Sequence, residues 1–306
     1  MRVRAMVMVL SCCGALFAGC EVRTEIDAGG RDSAVPATDA GDTDAGPARD
    51  GGIRLDNVLI YAHSGDTLYE FSPYTNTVTE LGEFSVDDGV PPNMLDLAVD
   101  ADGRIFTVGY ERIYVVDPET METTTAMTYR MDRDPTIDPL FALSFISADQ
   151  SPTGREILVG ATNSGSLFEV DLVTDRLVPR GHYPDNWGSS GDITSIQGLG
   201  TFATLRQRDA MGRPIDGEPD AVAEIQIPMS GDATVRIIGT IRTAGGQTFT
   251  ALFGLGYWGR DLYGFTNGGA LLRIDRDTGV SELVSDTTGA GQFYGAGVTT
   301  KVPFLI

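Results

Sequence analysis

The stretch Leu-Leu-Arg-Ile-Asp-Arg-Asp-Thr-Gly at 271–279 decides the fold of this 306-residue chain, because versions of it recur along the sequence. Each version is an apolar strand that ends in a polar turn and leads into a second strand. Asp117, Asp171 and Asp275 hold the same place in this turn, where a carboxylate accepts hydrogen bonds from the backbone ahead. We therefore interpret them as turn residues and not as catalytic acids. The other copies occupy 68–76, 113–121 and 167–175, with a degenerate copy at 222–226, at spacings of 45 to 55 residues.

A second unit, made of a small-residue or apolar run, a turn and another strand, precedes each hairpin except the first. The last run, 294–298, stands alone, while the first hairpin begins at Asn57 without an opening strand. Four strands per period, with a C-terminal strand that supplies what the first repeat lacks, predict an all-β domain over 57–306, a closed β-propeller of five four-stranded blades. A six-bladed ring and a pair of β-sandwiches are the alternatives. The complete runs lie at 95–99, 141–145, 191–195 and 249–253.

The repeated strand-and-turn motif resembles the broad β-propeller superfamily of quinoprotein-like, YVTN-like and NHL-like repeats. The resemblance covers nearly all of residues 57–302. Many families share the motif, so the resemblance implies a fold and no particular activity.

The N-terminal segment 1–19 has the features of a secretion signal. Arg2 and Arg4 give a basic start, and the apolar run that follows is too short to span a bilayer. It ends in Leu-Phe-Ala-Gly-Cys at 16–20, which resembles the lipobox of bacterial lipoproteins, although Phe17 stands where that family prefers leucine. The resemblance implies cleavage before Cys20 and acylation of Cys20, palmitate included. A plain secretory signal and an uncleaved anchor are the alternatives.

The anchor implied by this resemblance sets the expected location. A multiply acylated cysteine holds a protein stably on a lipid bilayer without a transmembrane helix. Glu21 follows Cys20, where an aspartate in relatives often signals retention at the inner membrane. We therefore expect a lipid-anchored protein of the bacterial cell envelope, with the outer membrane favoured over the inner.

Residues 20–56 contain few large apolar side chains and repeat Asp-Ala-Gly. Such a segment buries too little apolar surface to offset its chain entropy, so we expect a disordered tether after the lipidated cysteine. Its aspartates lack the glycine and the closing glutamate of an EF-hand calcium loop. The predicted organisation is a signal peptide at 1–19, a tether at 20–56 and the propeller at 57–306.

Charge and composition restrict the partners and cofactors. The net charge of −21 argues against nucleic acid, which is bound by clustered arginine and lysine. His63 and His182 are the only histidines, and Cys12, Cys13 and Cys20 the only cysteines, so we expect no zinc site and no cofactor.

Candidate ligand-binding residues come from the loops that gather at one end of a propeller channel. Trp187, beside Asp185 and Asn186, combines an aromatic surface with polar groups suited to a sugar or a peptide, or else it packs the loop against a neighbouring blade. Asp96 and Asp192 share one slot of the repeat near the channel, where they bind a ligand or satisfy backbone groups. Trp258 is predicted to lie at the opposite end.

These residues favour a binding or scaffolding module for a protein, a peptide or a glycan. The alternative is a propeller enzyme such as a glycoside hydrolase, which uses paired carboxylates. We expect a binding protein rather than an enzyme, because the sequence offers no paired general acid beside Asp96 and Asp192.

Overall fold

We describe residues 55–86, 93–130 and 138–305 of a computed structural model of the chain. The signal segment, Cys20 and nearly all of the tether lie outside the described residues. So do 87–92 and 131–137, which belong to two loops expected at the mouth of the channel. Within the described residues, no helix has the length and apolarity to cross a membrane.

The described residues form five antiparallel sheets, each with four main strands, and one short 3-10 helix, Leu55–Asn57. Blade I contains β22 (Gly295–Gly297), β1 (Ile60–His63), β2 (Thr67–Ser72) and β3 (Thr77–Glu83). Blade II contains β5 (Asp96–Val99), β6 (Ile105–Val108), β7 (Arg112–Val116) and β8 (Glu122–Thr128). Blade III contains β9 (Leu140–Ile146), β10 (Ile157–Thr162), β11 (Ser166–Asp171) and β12 (Arg176–His182). Blade IV contains β13 (Trp187–Ile196), β14 (Gly200–Gln207), β15 (Ala221–Gln226) and β16 (Thr234–Thr240). Blade V contains β18 (Leu252–Trp258), β19 (Asp261–Thr266), β20 (Leu271–Asp275) and β21 (Val280–Ser285).

Two short strands connect neighbouring blades and were not predicted. β4 (Ser85–Val86) follows blade I and pairs in parallel with β8, the outer strand of blade II. β17 (Arg242–Thr243) follows blade IV and pairs in the same way with β21 of blade V. Each covers part of an outer edge that would otherwise expose unpaired backbone groups.

The ring closes through its C-terminal strand. β22 pairs antiparallel with β1, with Gly297 opposite Tyr61 and Gly295 opposite His63. The predicted five-bladed propeller and its closure by the run that begins at Tyr294 are therefore confirmed, and the six-bladed alternative is wrong.

The predicted inner strand of blade V is wrong in position. We expected it at 249–253, whereas β18 begins at Leu252. Ala251 has a φ of 56°, which ends the extended conformation before that point, and Phe249 instead bonds through its backbone to Asp220 and Ile241. Gly254 consequently lies inside the strand, where an added Cβ would be 2.8 Å from the Cβ of Ala296.

The interpretation of the repeated aspartates as turn residues is confirmed. Asp117 accepts the backbone N–H of Glu119 at 2.9 Å, and Asp275 accepts that of Thr278 at 2.8 Å. The bond from Glu119 lowers the pKa of Asp117. The hydroxyl of Thr278, which also donates to Asp275, lowers the pKa of that carboxyl group, and the Thr278 backbone N–H adds to the effect. Apolar clusters pack between the blades, so neighbouring sheets hold each other in the ring.

Candidate functional site

The five inner strands share a three-residue pattern close to the mouth of the channel. The first position holds Leu95, Phe141, Gly191, Phe253 and Tyr294. The second position holds Asp96, Ala142, Asp192, Gly254 and Gly295. The third position holds Leu97, Leu143, Ile193, Leu255 and Ala296. Every residue at the second position is buried. Two of the five are aspartates, two are glycines and one is alanine.

Asp96 binds two backbone amides of the third position. Its Oδ1 accepts the N–H of Leu97 at 2.8 Å, and its Oδ2 accepts the N–H of Leu143 in the next blade at 2.6 Å. These bonds satisfy two buried backbone amides that would otherwise lack an acceptor. Asp96 therefore ties the inner strands of blades II and III together.

Asp192 binds the remaining three amides of that position. It accepts the N–H of Ile193 at 2.6 Å, that of Leu255 at 2.5 Å and that of Ala296 at 3.3 Å. Ala296 belongs to blade I, which is not a neighbour of blade IV, so this contact crosses the axis. Two carboxylates thus satisfy the third-position amides of all five blades.

The absence of a side chain at Gly295 makes this arrangement possible. An added Cβ would collide with the Asp96 carboxylate and lie 2.6 Å from Nε2 of His63. His63 is fully buried, its Nδ1 lies 2.5 Å from the carbonyl oxygen of Ser64, and its Nε2 has no hydrogen-bond partner among the described residues. The centre of the ring is therefore filled by small residues, two carboxylates and one imidazole.

Burial controls the titration of these groups. It raises the pKa of Asp96 well above its ordinary value, and repulsion from Asp192 adds to the rise. Burial also raises the pKa of Asp192, against the opposing effect of its amide hydrogen bonds. Burial lowers the pKa of His63 to about 4, so this imidazole is neutral at neutral pH.

Above this layer a pocket of about 250 Å³ opens at the mouth of the channel. The first-position residues line it from all five blades. The rest of its wall comes from connections between second and third strands, from β13 and β14 of blade IV, and from Asn93 before blade II. We call it the mouth pocket. Phe253 and Tyr294 stack across the junction of blades V and I with ring centroids 6.4 Å apart. The other lining residues are Leu95, Phe141, Gly191, Asn93, Tyr110, Asn163, Ser189, Ser190, Arg206, Arg208 and Pro214.

Two arginines from the end of β14 bring positive charge to the mouth pocket. Nε of Arg206 lies 2.9 Å from Oδ1 of Asp220, a fully buried carboxylate, so this cation is neutralised. Arg208 donates from Nε to the carbonyl oxygen of Gly212 at 2.6 Å and from Nη1 to that of Asn163. The ion pairs found in the described part of the chain do not include Arg208.

The opposite end of the channel is spanned by the segment 299–305, which follows β22. The Thr300 carbonyl accepts the N–H of Gln197 at 2.8 Å, and the Thr300 hydroxyl donates to Glu156. These contacts reach blades IV and III. Lys301 forms an ion pair with Asp102 of blade II. The N–H of Leu305 donates to the carbonyl oxygen of Gly259 in blade V. Trp258 lies at this end as predicted, and its indole N–H donates to the carbonyl of Leu55 at 2.7 Å.

The structure places Trp187 and its two polar neighbours outside the walls of the mouth pocket. The Trp187 ring is half-buried against the apolar cluster between blades III and IV. Asp185 and Asn186 are exposed, with φ values of 55° and 61°, and the carbonyl of Asn186 accepts the N–H of Arg208 at 3.0 Å. These three residues therefore form no common cluster with Asp96 and Asp192, and their role in ligand binding stays a prediction.

Sequence reasoning missed the residues of the mouth pocket. The register error in blade V concealed that Phe141, Phe253 and Tyr294 share one position of the repeat. Correct alignment of the inner strands would have found them, because an aromatic residue directly precedes the second-position alanine and both second-position glycines. Nothing in the sequence distinguished Arg208 from the other arginines, since its environment depends on the path of the 208–219 loop. Within the described ranges no group of three His, Cys, Asp or Glu side chains is placed to hold a metal ion.

Two similar solved structures have low sequence identity to this chain and TM-scores below 0.5. No protein-family model matches the chain, and no curated protein matches it either. A chain of a nidogen–laminin complex is 9% identical, with a TM-score of 0.49 over 80% of this chain and 99% of its own length. A protein of unknown function from Bacteroides caccae is 10% identical, with a TM-score of 0.42 over 79% of this chain and 98% of its own. Similarity of this degree identifies neither a family nor a function.

Proposed function

We propose that this protein is a lipid-anchored β-propeller of the bacterial cell envelope that binds a protein, peptide or glycan ligand at the mouth of its channel. The observation that carries the proposal is the contrast between the two ends of the ring. The segment 299–305 spans one end, whereas the other has a pocket of about 250 Å³ lined by residues from all five blades. Concave sites with aromatic walls and a few polar groups are the usual sites of ligand binding.

The membrane anchor in this proposal rests on the lipobox-like sequence at 16–20 and on the tether that follows it. About thirty-five residues of flexible chain, at about 5 to 6 Å times the square root of their number, hold a domain roughly 30 to 35 Å from the lipid surface. That reach leaves the mouth accessible to a partner in the envelope. The outer membrane is proposed over the inner because Glu21, and not aspartate, follows Cys20.

Metabolic labelling with palmitate tests the anchor. The native chain is expected to incorporate label, and Cys20→Ser is expected to abolish labelling and to leave unprocessed precursor. Native protein without any incorporated palmitate would refute the lipid anchor and leave the binding proposal to its own test.

Screening the purified full chain against peptide and glycan arrays tests binding at the mouth. Phe253→Ala removes an aromatic wall of the mouth pocket, so it is expected to weaken any ligand at least about tenfold. Trp258→Ala is the matched aromatic control at the spanned end and is expected to bind normally once its melting temperature shows that it is folded. Equal loss in both variants, or loss only in Trp258→Ala, would contradict a site at the mouth.

Glycoside hydrolysis, the alternative from the sequence, gains no support from the described residues. Asp96 and Asp192 are fully buried, and their oxygens are bound to backbone amides. Turnover of chromogenic glycosides that is lost in Asp192→Asn, with the variant still folded, would restore that alternative.

A further inference from the structure

The unneutralised charge of Arg208 points to the chemistry of the ligand. Arg206, its neighbour, is paired with Asp220, and their charges cancel. Arg208 bonds only to backbone carbonyls in the described residues, while Asp138 and Asp209 act on it at longer range. Burial and repulsion from Arg206 lower its pKa, so its environment disfavours the cation. A negative group placed beside Arg208 would relieve this cost.

The geometry of Arg208 leaves donors for such a group. A guanidinium has five N–H donors. Arg208 uses two of them in its bonds to the carbonyl oxygens of Gly212 and Asn163. Both acceptors fix the plane of the side chain, which lies across Gly188. An added Cβ there would be 2.7 Å from Cδ of Arg208. A preorganised guanidinium with free N–H groups matches the two oxygens of a carboxylate.

The walls around this cation favour an apolar body on the ligand. Phe141, Phe253 and Tyr294 are half-buried at the first position of their inner strands and provide aromatic surface. Ser189 also lies in the wall, with a buried hydroxyl that has no hydrogen-bond partner among the residues described. A volume of about 250 Å³ corresponds to about eight water molecules. That space suits one small acid or one terminal residue of a longer ligand.

We infer that the mouth pocket binds the carboxylate of a small apolar acid, with Arg208 holding the charge and the aromatic wall holding the body. The inference rests on the proposed binding function and specifies its ligand class. The carboxylate belongs to a free small molecule or to the C-terminus of a peptide. An open groove of about 640 Å³ along blade I adjoins the pocket and shares Asn93 and Tyr294 with it, so a chain can continue outward from the mouth.

Fluorine NMR titration of the purified full chain with 4-fluorobenzoate tests the inference. 4-Fluorobenzyl alcohol is an uncharged probe of similar size. The benzoate is expected to bind at least about tenfold more tightly than the alcohol. Arg208→Gln is expected to remove this preference, and Arg208→Lys to restore part of it, because lysine keeps the charge without the planar fork. Arg236→Gln, an exposed arginine of the same blade, is the matched control and is expected to bind within about twofold of the native chain.

Displacement of the fluorinated acid distinguishes the two sources of the carboxylate. Displacement by Gly-Gly-Phe, but not by its C-terminal amide, supports a peptide terminus. Displacement by benzoate alone supports a free small acid. Equal binding of acid and alcohol, both lost in Phe253→Ala, would overturn the carboxylate inference while supporting a site at the mouth. Binding that neither Arg208→Gln nor Phe253→Ala changes would overturn both proposals.

Discussion

The two ends of the channel are built from the same five strands but are finished differently. At one end the segment 299–305 bonds to the connections of blades II to V. At the other end the first-position side chains leave a pocket that contains Arg208 without a carboxylate partner among the described residues. Between them, the amides of the third position are all bound by Asp96 and Asp192. The backbone amides of the middle layer are thus satisfied by two side chains, although Nε2 of His63 there has no hydrogen-bond partner among the described residues. The mouth differs because it holds a cation that no carboxylate of the described residues pairs with.

The largest effect is expected from deleting residues 291–306. The deletion removes β22 and the spanning segment together, so β1 keeps only β2 as a partner and becomes an exposed edge of blade I. We expect the variant to aggregate or to lack a cooperative thermal transition. Deletion of residues 21–52 is the control and should leave the melting temperature nearly unchanged, because we expect this segment to be a disordered tether, which adds no packing. A C-terminal deletion variant with the full melting temperature would refute closure of the ring by β22.

Removing the central carboxylates tests the middle layer. Asp192→Ala leaves three buried amides without an acceptor and Asp96→Ala leaves two. At about 1 to 3 kcal/mol for each unsatisfied group, we expect losses of about 3 to 9 kcal/mol for Asp192→Ala and a smaller loss for Asp96→Ala. Urea unfolding measures both. Equal losses, or the reverse order, would show that the number of bound amides does not set the contribution of each aspartate.

Trp187→Ala tests whether the Trp187 ring packs against the apolar cluster between blades III and IV or binds a ligand. The half-buried ring packs against that cluster, so we expect a loss of about 2 kcal/mol in the free energy of unfolding, less than for a fully buried tryptophan. Affinity for a mouth ligand should change by less than in Phe253→Ala. A Trp187→Ala chain of native stability that has lost its ligand would instead place the binding site at residues 185–187.

His63 is expected to make the stability of the folded chain depend on pH. Its pKa is about 4 in the folded chain and about 6.5 when unfolded, so acidification between these values favours the unfolded state by up to about 1.4 kcal/mol per pH unit. The raised pKa values of Asp96 and Asp192 act in the opposite sense, since protonation of these groups favours the folded state. His63→Gln should therefore lose less stability than the native chain between pH 6.5 and 4. The melting temperature of both proteins is measured at each pH in this range. An identical pH dependence in the two proteins would contradict the low pKa of His63.

The sequence was sufficient to predict the blades and their closure, and it failed where function depends on contacts between distant strands. The turn aspartates could be predicted because each bonds within its own turn, as Asp275 does with Thr278. The partners of Asp192 lie up to 104 residues away in sequence, so no local pattern reveals them. The same limit applies to Arg208, whose contact with Asn163 joins two blades. The inner strand of blade V was misplaced because the apolar run at 249–253 resembles a strand, although the positive φ of Ala251 interrupts it.

Mapping of backbone amide chemical shifts in the full chain, titrated with benzoate, tests the central claim most directly. The claim is that ligand binds at the mouth and not at the spanned end. We expect saturable shifts at Ser189, Ser190 and Arg208, and none at Gly259 or Thr300. Shifts confined to Gly259, Thr300 and their neighbours would contradict the account.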